Sequence, residues 1–184
     1  MELSNIQIRE TNNNDFNDIM TVEEQSFGHD KEAKLTADLL QDKTAEPVIS
    51  LLAWHNQKAI GHILFTRAYV NEMVQQPLFH ILAPLAVIPE YQKQGIGGKL
   101  IAEGLKKLKD IGSEMVLVLG HMDYYPRHGF IPNAGKIGYS APYPIPVEFA
   151  NAWMVQSLNT DGFTIEKGRI ICSDELNKPE HWRE

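Results

Sequence analysis

The chain has 184 residues, 22% charged and 43% hydrophobic, an ordinary composition for a globular protein with one sizeable core. Its net charge of −7 comes with no basic block, which argues against nucleic-acid binding, and no apolar run reaches membrane-spanning length. The single cysteine, Cys172, excludes an internal disulfide and a cysteine-based metal site; with no basic-then-apolar leader visible, a cytoplasmic protein is expected.

Alternation from Ile6 to Arg9 predicts a short first strand. Asp15 is placed to cap a helix carrying Phe16, Ile19, Met20 and Glu23 to Phe27. A second helix over Lys31 to Leu40 turns Leu35, Leu39 and Leu40 inward. VISLLAWHNQKAIGHILFTRAYV reads as two strands joined near Asn56 and Gln57, with Gly61 marking a bend or bulge. A long strand from Leu78 to Val87 runs into Pro89. The next helix has Leu100, Ile101, Leu105 and Leu108 at helical spacing, and Glu103 stands four residues before Lys107, positioned to pair with it. MVLVLG is a short strand buried on both faces, and HMDYYPRHGF holds only a brief helix before Gly129. The prolines from Pro132 to Pro146 predict turns and an irregular or edge strand. FTIEKGRIICS predicts a closing hairpin that turns at Lys167 and Gly168. The order is a mixed α/β plan around one sheet, unlike the alternating plan of a doubly wound nucleotide fold.

The stretch YQKQGIGGKL, between the third long strand and its helix, has the form of an anion-binding turn. As a triphosphate loop it fails twice: the first glycine would fall at Lys93, and Leu100 replaces the magnesium-binding hydroxyl. As a dinucleotide fingerprint it has Gly95 and Gly97, but Leu100 occupies the third position and no βαβ unit surrounds it. What fits is Gln-x-x-Gly-x-Gly, filled by Gln92, Gly95 and Gly97. Glycines let the backbone turn tightly and approach a ligand, while free N–H groups and the helix dipole attract a pyrophosphate.

With its flanks, LAVIPEYQKQGIGGKLI resembles the coenzyme A segment of the GNAT superfamily of N-acetyltransferases, and Tyr124-Tyr125-Pro126-Arg127-His128-Gly129-Phe130 resembles that family's aromatic–Tyr–x–x–x–Gly–Phe signature. The PLAV-x-PEYQ and YY-x-R-x-GF texture is similar to the YhbS-like branch. The resemblance implies an α/β fold with a mostly antiparallel central sheet, its fourth and fifth strands splayed and helices on both sides. It also implies a single domain over residues 1–184, with an N-acetyltransferase core at 6–146 and a C-terminal extension at 147–184 packed on it.

The same resemblance implies direct transfer of acetyl from acetyl-CoA to a primary amine, expected to belong to a small molecule. A non-catalytic coenzyme-binding module and a protein acetylase are the alternatives. Leu85, Ala86 and Val87 would pair with the pantetheine arm, and Gln92, Lys93, Gln94, Gly95, Ile96, Gly97 and Gly98 would hold the pyrophosphate, with Lys93 or Lys99 adding charge. Tyr125 matches the residue that protonates the departing thiolate; a phenol of pKa ~10 suits a thiol of pKa ~8.5. Pro126 departs from the family, which commonly places a charged residue there. Tyr124 is expected to serve packing.

The general base is left open among Glu23, Glu24, His80 and His121; solvated helix positions and satisfied strand histidines are the plainer uses of these residues. The histidines at 29, 55, 62 and 128 show no ligand spacing, so no metal is expected. The aromatic, proline-rich segment at 135–149 borders either the acceptor site or a homodimer contact, with packing the plainer use of Tyr139, Tyr143 and Phe149.

Overall fold

A computed structural model describes residues 5–182. In chain order the elements are β1 (Gln7–Glu10), α1 (Phe16–Phe27), α2 (Lys31–Gln41), β2 (Ile49–His55), β3 (Lys58–Val70), β4 (Phe79–Val87), α3 (Ile96–Asp110) and β5 (Met115–Leu119). The rest comprises β6 (Ile131–Pro132), α4 (Ala134–Ile137), β7 (Tyr139–Ser140), β8 (Trp153–Ser157) and β9 (Gly168–Cys172). A single 3-10 turn, Tyr125–His128, follows β5.

The strands form one mixed sheet in the order β1-β2-β3-β4-β5-β8-β6, antiparallel except where β4 meets β5; β9 pairs with the far end of β3 and, in parallel, with β7. The β2–β3 turn falls at Asn56 and Gln57, both at positive φ. The sheet slips register between Ala53 and Trp54, so the bulge falls on Ile60, next to Gly61. Gly61 answers a different need: a Cβ there would lie 3.0 Å from Leu100 Cδ1 and 3.2 Å from the Ala86 carbonyl.

Alternation along β3 sorts the two faces. Gly61, Ile63 and Phe65 point toward α3, where Phe65 packs into the notch left by Gly104. His62 and Leu64 point the other way, toward α1 and α2. Both faces are covered, and β2, β3 and the first four residues of β5 are almost entirely buried.

The feature that positions the site is a gap. β4 stays paired to β3 out to Gly61↔Val87, but it pairs with β5 only from His80↔Val116 to Leu82↔Val118. Past Leu82, β4 carries one residue more than β3 does, so a bulge falls at Ala83–Pro84, where Pro84 also has no N–H to give. From there the β5-facing edge of β4, including Leu85, Ala86 and Val87, has no strand beside it.

Several local expectations change. Asp15 does not cap α1 with its side chain; its carboxylate accepts from the Asn12 N–H at 2.8 Å and from both terminal nitrogens of Arg9 at 2.7 Å. Arg9 holds that carboxyl below the usual range. Lys107 reaches Glu10 at 3.5 Å across to β1, not Glu103. The inward face of α2 is Ala33, Thr36 and Leu39, with Leu35 and Leu40 half-buried. The closing hairpin does not form: Phe163–Glu166 is not a strand, and β9 pairs with β3 and β7 instead. The strand that the sequence reading missed is β8, whose AWMVQS run pairs along the whole of β5.

Candidate active site

The glycine turn closes the open end of the gap. Pro89–Tyr91 makes one 3-10 turn, Lys93 and Gly95 follow at φ +58° and +83°, and α3 begins at Ile96. The positive φ at Gly95 is what requires glycine there. The first helical N–H to find a partner is that of Lys99, donating to the Gly95 carbonyl at 3.1 Å. Among the described residues the N–H groups of Lys93, Gln94, Gly95, Ile96, Gly97 and Gly98 donate to no backbone acceptor. Six consecutive free donors at the positive end of a 15-residue helix make an anion cradle.

The two glutamines brace that cradle. Gln92 Nε2 donates to the Val87 carbonyl at 2.9 Å, tying the end of β4 to the turn, and Gln94 Nε2 donates to the Glu90 carbonyl at 2.8 Å. Lys93 and Lys99 are exposed and form no ion pair among the described residues.

Gly97 and Gly98 have a second reason to be glycine. A Cβ on Gly97 would collide with the Tyr124 hydroxyl and lie 3.6 Å from Leu85 Cδ2; one on Gly98 would sit 2.8 Å from His128 Cε1. The 125–128 turn therefore lies directly on the first turn of α3. Tyr124 stacks edge-on to Tyr125 and to His128, at ring separations of 5.2 and 4.9 Å. Tyr124, expected to pack only, thus brings its hydroxyl to the mouth of the cradle. The glycine count of the turn was the available sign that something packs onto it.

Tyr125 is 8% exposed, edge-on to Phe130 at 5.6 Å and against Gly120 at the end of β5. Its hydroxyl has no hydrogen-bond partner among the described residues. Burial, with Tyr124 beside it, pushes its pKa well above the ordinary tyrosine value, so the group keeps its proton. It sits on the α3 side of the gap.

The base candidates separate sharply. Glu24 is exposed on α1 and His121 is exposed past β5. His80 is fully buried and satisfied: its Nε2–H donates to the Pro47 carbonyl and the Ser113 hydroxyl donates to Nδ1, both at 2.8 Å. Burial pushes its pKa down to about 4. Glu23, expected on a solvated face, is 0% exposed, and His62 Nδ1 donates to its Oε1 at 2.6 Å.

Two open clefts lie outside the gap. One, about 370 Å³, is lined by Tyr143, Pro144, Trp153 and Arg169 and adjoins the wall of the gap through the pair Leu119↔Trp153. The other, about 550 Å³, is lined by Thr11, Asn12, Phe16 and Ser50. Tyr139 and Tyr143 spend their hydroxyls on the carbonyls of Ile165 and Asn177, at 2.6 and 2.7 Å, while Phe149 is 55% exposed. No helix among the described residues is long and apolar enough to cross a membrane.

Comparison with known proteins agrees with this geometry. The chain is 54% identical over 164 residues to the uncharacterized N-acetyltransferase YjhQ of Escherichia coli (strain K12), covering 89% of this chain and 90% of YjhQ. It is 36% identical over 107 residues to the uncharacterized N-acetyltransferase YhbS of the same organism, covering 58% of this chain and 62% of YhbS. The crystal structure of Escherichia coli YhbS in complex with CoA superposes with a TM-score of 0.83 at 28% identity, covering 94% of this chain and 92% of that one. A GNAT family acetyltransferase from Brucella melitensis in complex with acetyl-CoA gives 0.73 at 25%, covering 94% and 98%. The model of the acetyltransferase (GNAT) family matches residues 13–130, and with the splayed strands and glycine turn in place, the chain belongs to that family.

Proposed function

We propose that this protein is an acetyl-CoA-dependent N-acetyltransferase that acetylates the primary amine of a small molecule by direct attack in a ternary complex. The observation that carries the reading is the row of free N–H groups from Lys93 to Gly98, set at the end of a β4 edge that has lost its neighbour. A pyrophosphate fits the first and the amide-rich pantetheine arm fits the second, as if it were an added strand along Leu85, Ala86 and Val87. The CoA and acetyl-CoA complexes of the two structural relatives support the same occupant.

Tyr125 holds a proton at the gap and gives it to the departing thiolate; its raised pKa keeps it in the donating form. The backbone along β4 orients the thioester, and closure of the gap by Tyr124 and Tyr125 limits water there. Residues 6–146 carry this machinery, and 147–184 supply β8 and β9 to its sheet. The acceptor enters by way of the cleft lined by Trp153 and Tyr143, which adjoins the gap at Leu119.

Calorimetry with acetyl-CoA and with CoA tests the first part: binding in the micromolar range is expected, and no heat at millimolar ligand would refute it. Thiol release from acetyl-CoA in the presence of assorted small amines tests the second. Turnover no faster than thioester hydrolysis would leave only a binding module.

A further inference from the structure

Glu23 stands out among the buried charges. Its side chain lies on the α1 face with both oxygens buried, yet only Oε1 has a partner; Oε2 is buried without one. A half-satisfied carboxylate inside a core is costly unless something arrives to complete it.

The rest of its surroundings form an ordered chain. Thr11 Oγ1 donates to Ser50 Oγ at 2.8 Å, which leaves the Ser50 proton for His62 Nε2 at 3.0 Å. His62 then carries its own proton on Nδ1 and donates it to Glu23 Oε1 at 2.6 Å. The donors all run one way, so the tautomer of His62 is set from outside, and one oxygen of Glu23 is pinned while the other is left free. Ser50 and Thr11 both line the 550 Å³ cleft, which gives the chain a polar outlet.

The position relative to the gap follows from the ladder. His62 pairs with Ala86, the middle residue of the exposed β4 edge, and paired residues point to the same face with Cβ atoms about 5 Å apart. Glu23 therefore sits on the α1 face, one strand from the Leu85–Val87 edge of β4, while Tyr125 sits on the α3 side. A base on one side of a thioester and a proton donor on the other is the division of labour aminolysis needs. The other charges facing Glu23 are few. From α2 there is Glu32, itself 2.9 Å from His29 Nδ1; from β3, His62; and β4 presents only Ala86.

We propose that Glu23 Oε2 receives the acceptor's proton, and that His62 and Ser50 are positioning residues that hold Glu23 for this step. The inference rests on the acetyl-transfer reading above. The N–H bond of the ammonium breaks and its proton goes to Oε2. The freed lone pair forms the C–N bond at the thioester carbonyl, the C–S bond breaks, and the thiolate takes the Tyr125 proton. Nitrogen sheds a second proton as the amide forms, which restores Tyr125 through solvent. The proton on Glu23 is the net proton released. Burial raises the pKa of Glu23 toward the range where a carboxylate is a useful base.

The test uses thiol release from acetyl-CoA with an equimolar pool of the L-amino acids, spermidine and agmatine, from pH 6 to 10. Glu23→Gln is expected to lose about 100-fold in kcat/KM at pH 7 and to regain roughly tenfold per pH unit as free amine accumulates, with acetyl-CoA affinity unchanged by calorimetry. Ser50→Ala is expected to shift the acidic limb of the profile and lower kcat with KM held; it serves alone should Glu23→Gln not fold. Variant profiles parallel to the wild type would overturn the proposal and leave the chain a structural network. A wild type that releases no thiol with this pool sinks the small-amine reading instead. Glu23 is then read directly, by adding methylammonium and following the His62 Nδ1–H resonance. That signal must move in the wild type and stay still in Glu23→Gln; no movement in the wild type overturns the proposal.

Discussion

Replacing Gly97 by alanine tests how the cradle is shaped. The position is inside the first turn of α3 with ordinary helical backbone, so alanine should stabilise the helix by about 1 kcal/mol. The added Cβ, however, would meet the Tyr124 hydroxyl well inside contact distance, while the ring carbon behind it, Cζ, stands at a comfortable 3.5 Å. Tyr124 is wedged between Tyr125 and His128, and displacing it is an overpacking fault of about 2 kcal/mol. Gly97→Ala alone is therefore expected to cost about 1 kcal/mol and lower Tm by about 3 °C in a protein of this size. In a Tyr124→Phe background the offending oxygen is gone, and the same substitution should raise Tm by about 3 °C. Thermal unfolding of the four proteins closes the cycle, with a coupling of about 2 kcal/mol. Calorimetry on the same set should find acetyl-CoA affinity reduced in Gly97→Ala and recovered in the double variant. An identical effect of the alanine in both backgrounds would refute the reasoning, because it would mean that the hydroxyl does not abut the turn.

Tyr125→Phe should lower kcat at least tenfold while leaving acetyl-CoA affinity within twofold; a loss confined to Tyr124→Phe instead would move the proton donor one residue. Gln92→Ala removes the amide that ties Val87 to the turn, worth about 1 kcal/mol, and should raise the Kd for acetyl-CoA about fivefold by calorimetry. His80 has a folded pKa of about 4 against ~6.5 when unfolded, so the unfolded chain binds the extra proton. The stability tied to its neutral form is complete above pH 6.5 and falls as pH drops through 4, by about 3 kcal/mol. Urea unfolding from pH 7 to 4 should show that slope, and His80→Asn should flatten it.

Much of the site was legible in the residues themselves. Two spaced glycines, a proline before them and an amphipathic helix after them are local facts, and they located the Lys93–Gly98 turn. The strand order through β5 was equally readable, because β2 to β5 are apolar runs bounded by turn residues. What failed were pairings between distant segments. The lysine at 107 chose Glu10 over Glu103 because β1 brought a carboxylate nearer than the helix did. FTIEKGRIICS has the pattern of a hairpin because Lys-Gly is a good turn, yet the free edge of β3 and β7 outcompeted a local partner for β9. The strand β8 was missed because AWMVQS is short and sits among prolines.

The sequence by itself determined where the glycine turn at the start of α3 falls and which tyrosine pair lies downstream, since both depend on short-range backbone chemistry. Only the tertiary structure decided that β4 parts from β5 after Leu82, that the Tyr124 hydroxyl rests on Gly97, and that Glu23 is buried against His62 with Glu24 left in water. Helical periodicity places neighbouring glutamates some 100° apart but does not say which faces the sheet. That choice is made by a histidine 39 residues away on β3, and it exists only once α1 has docked.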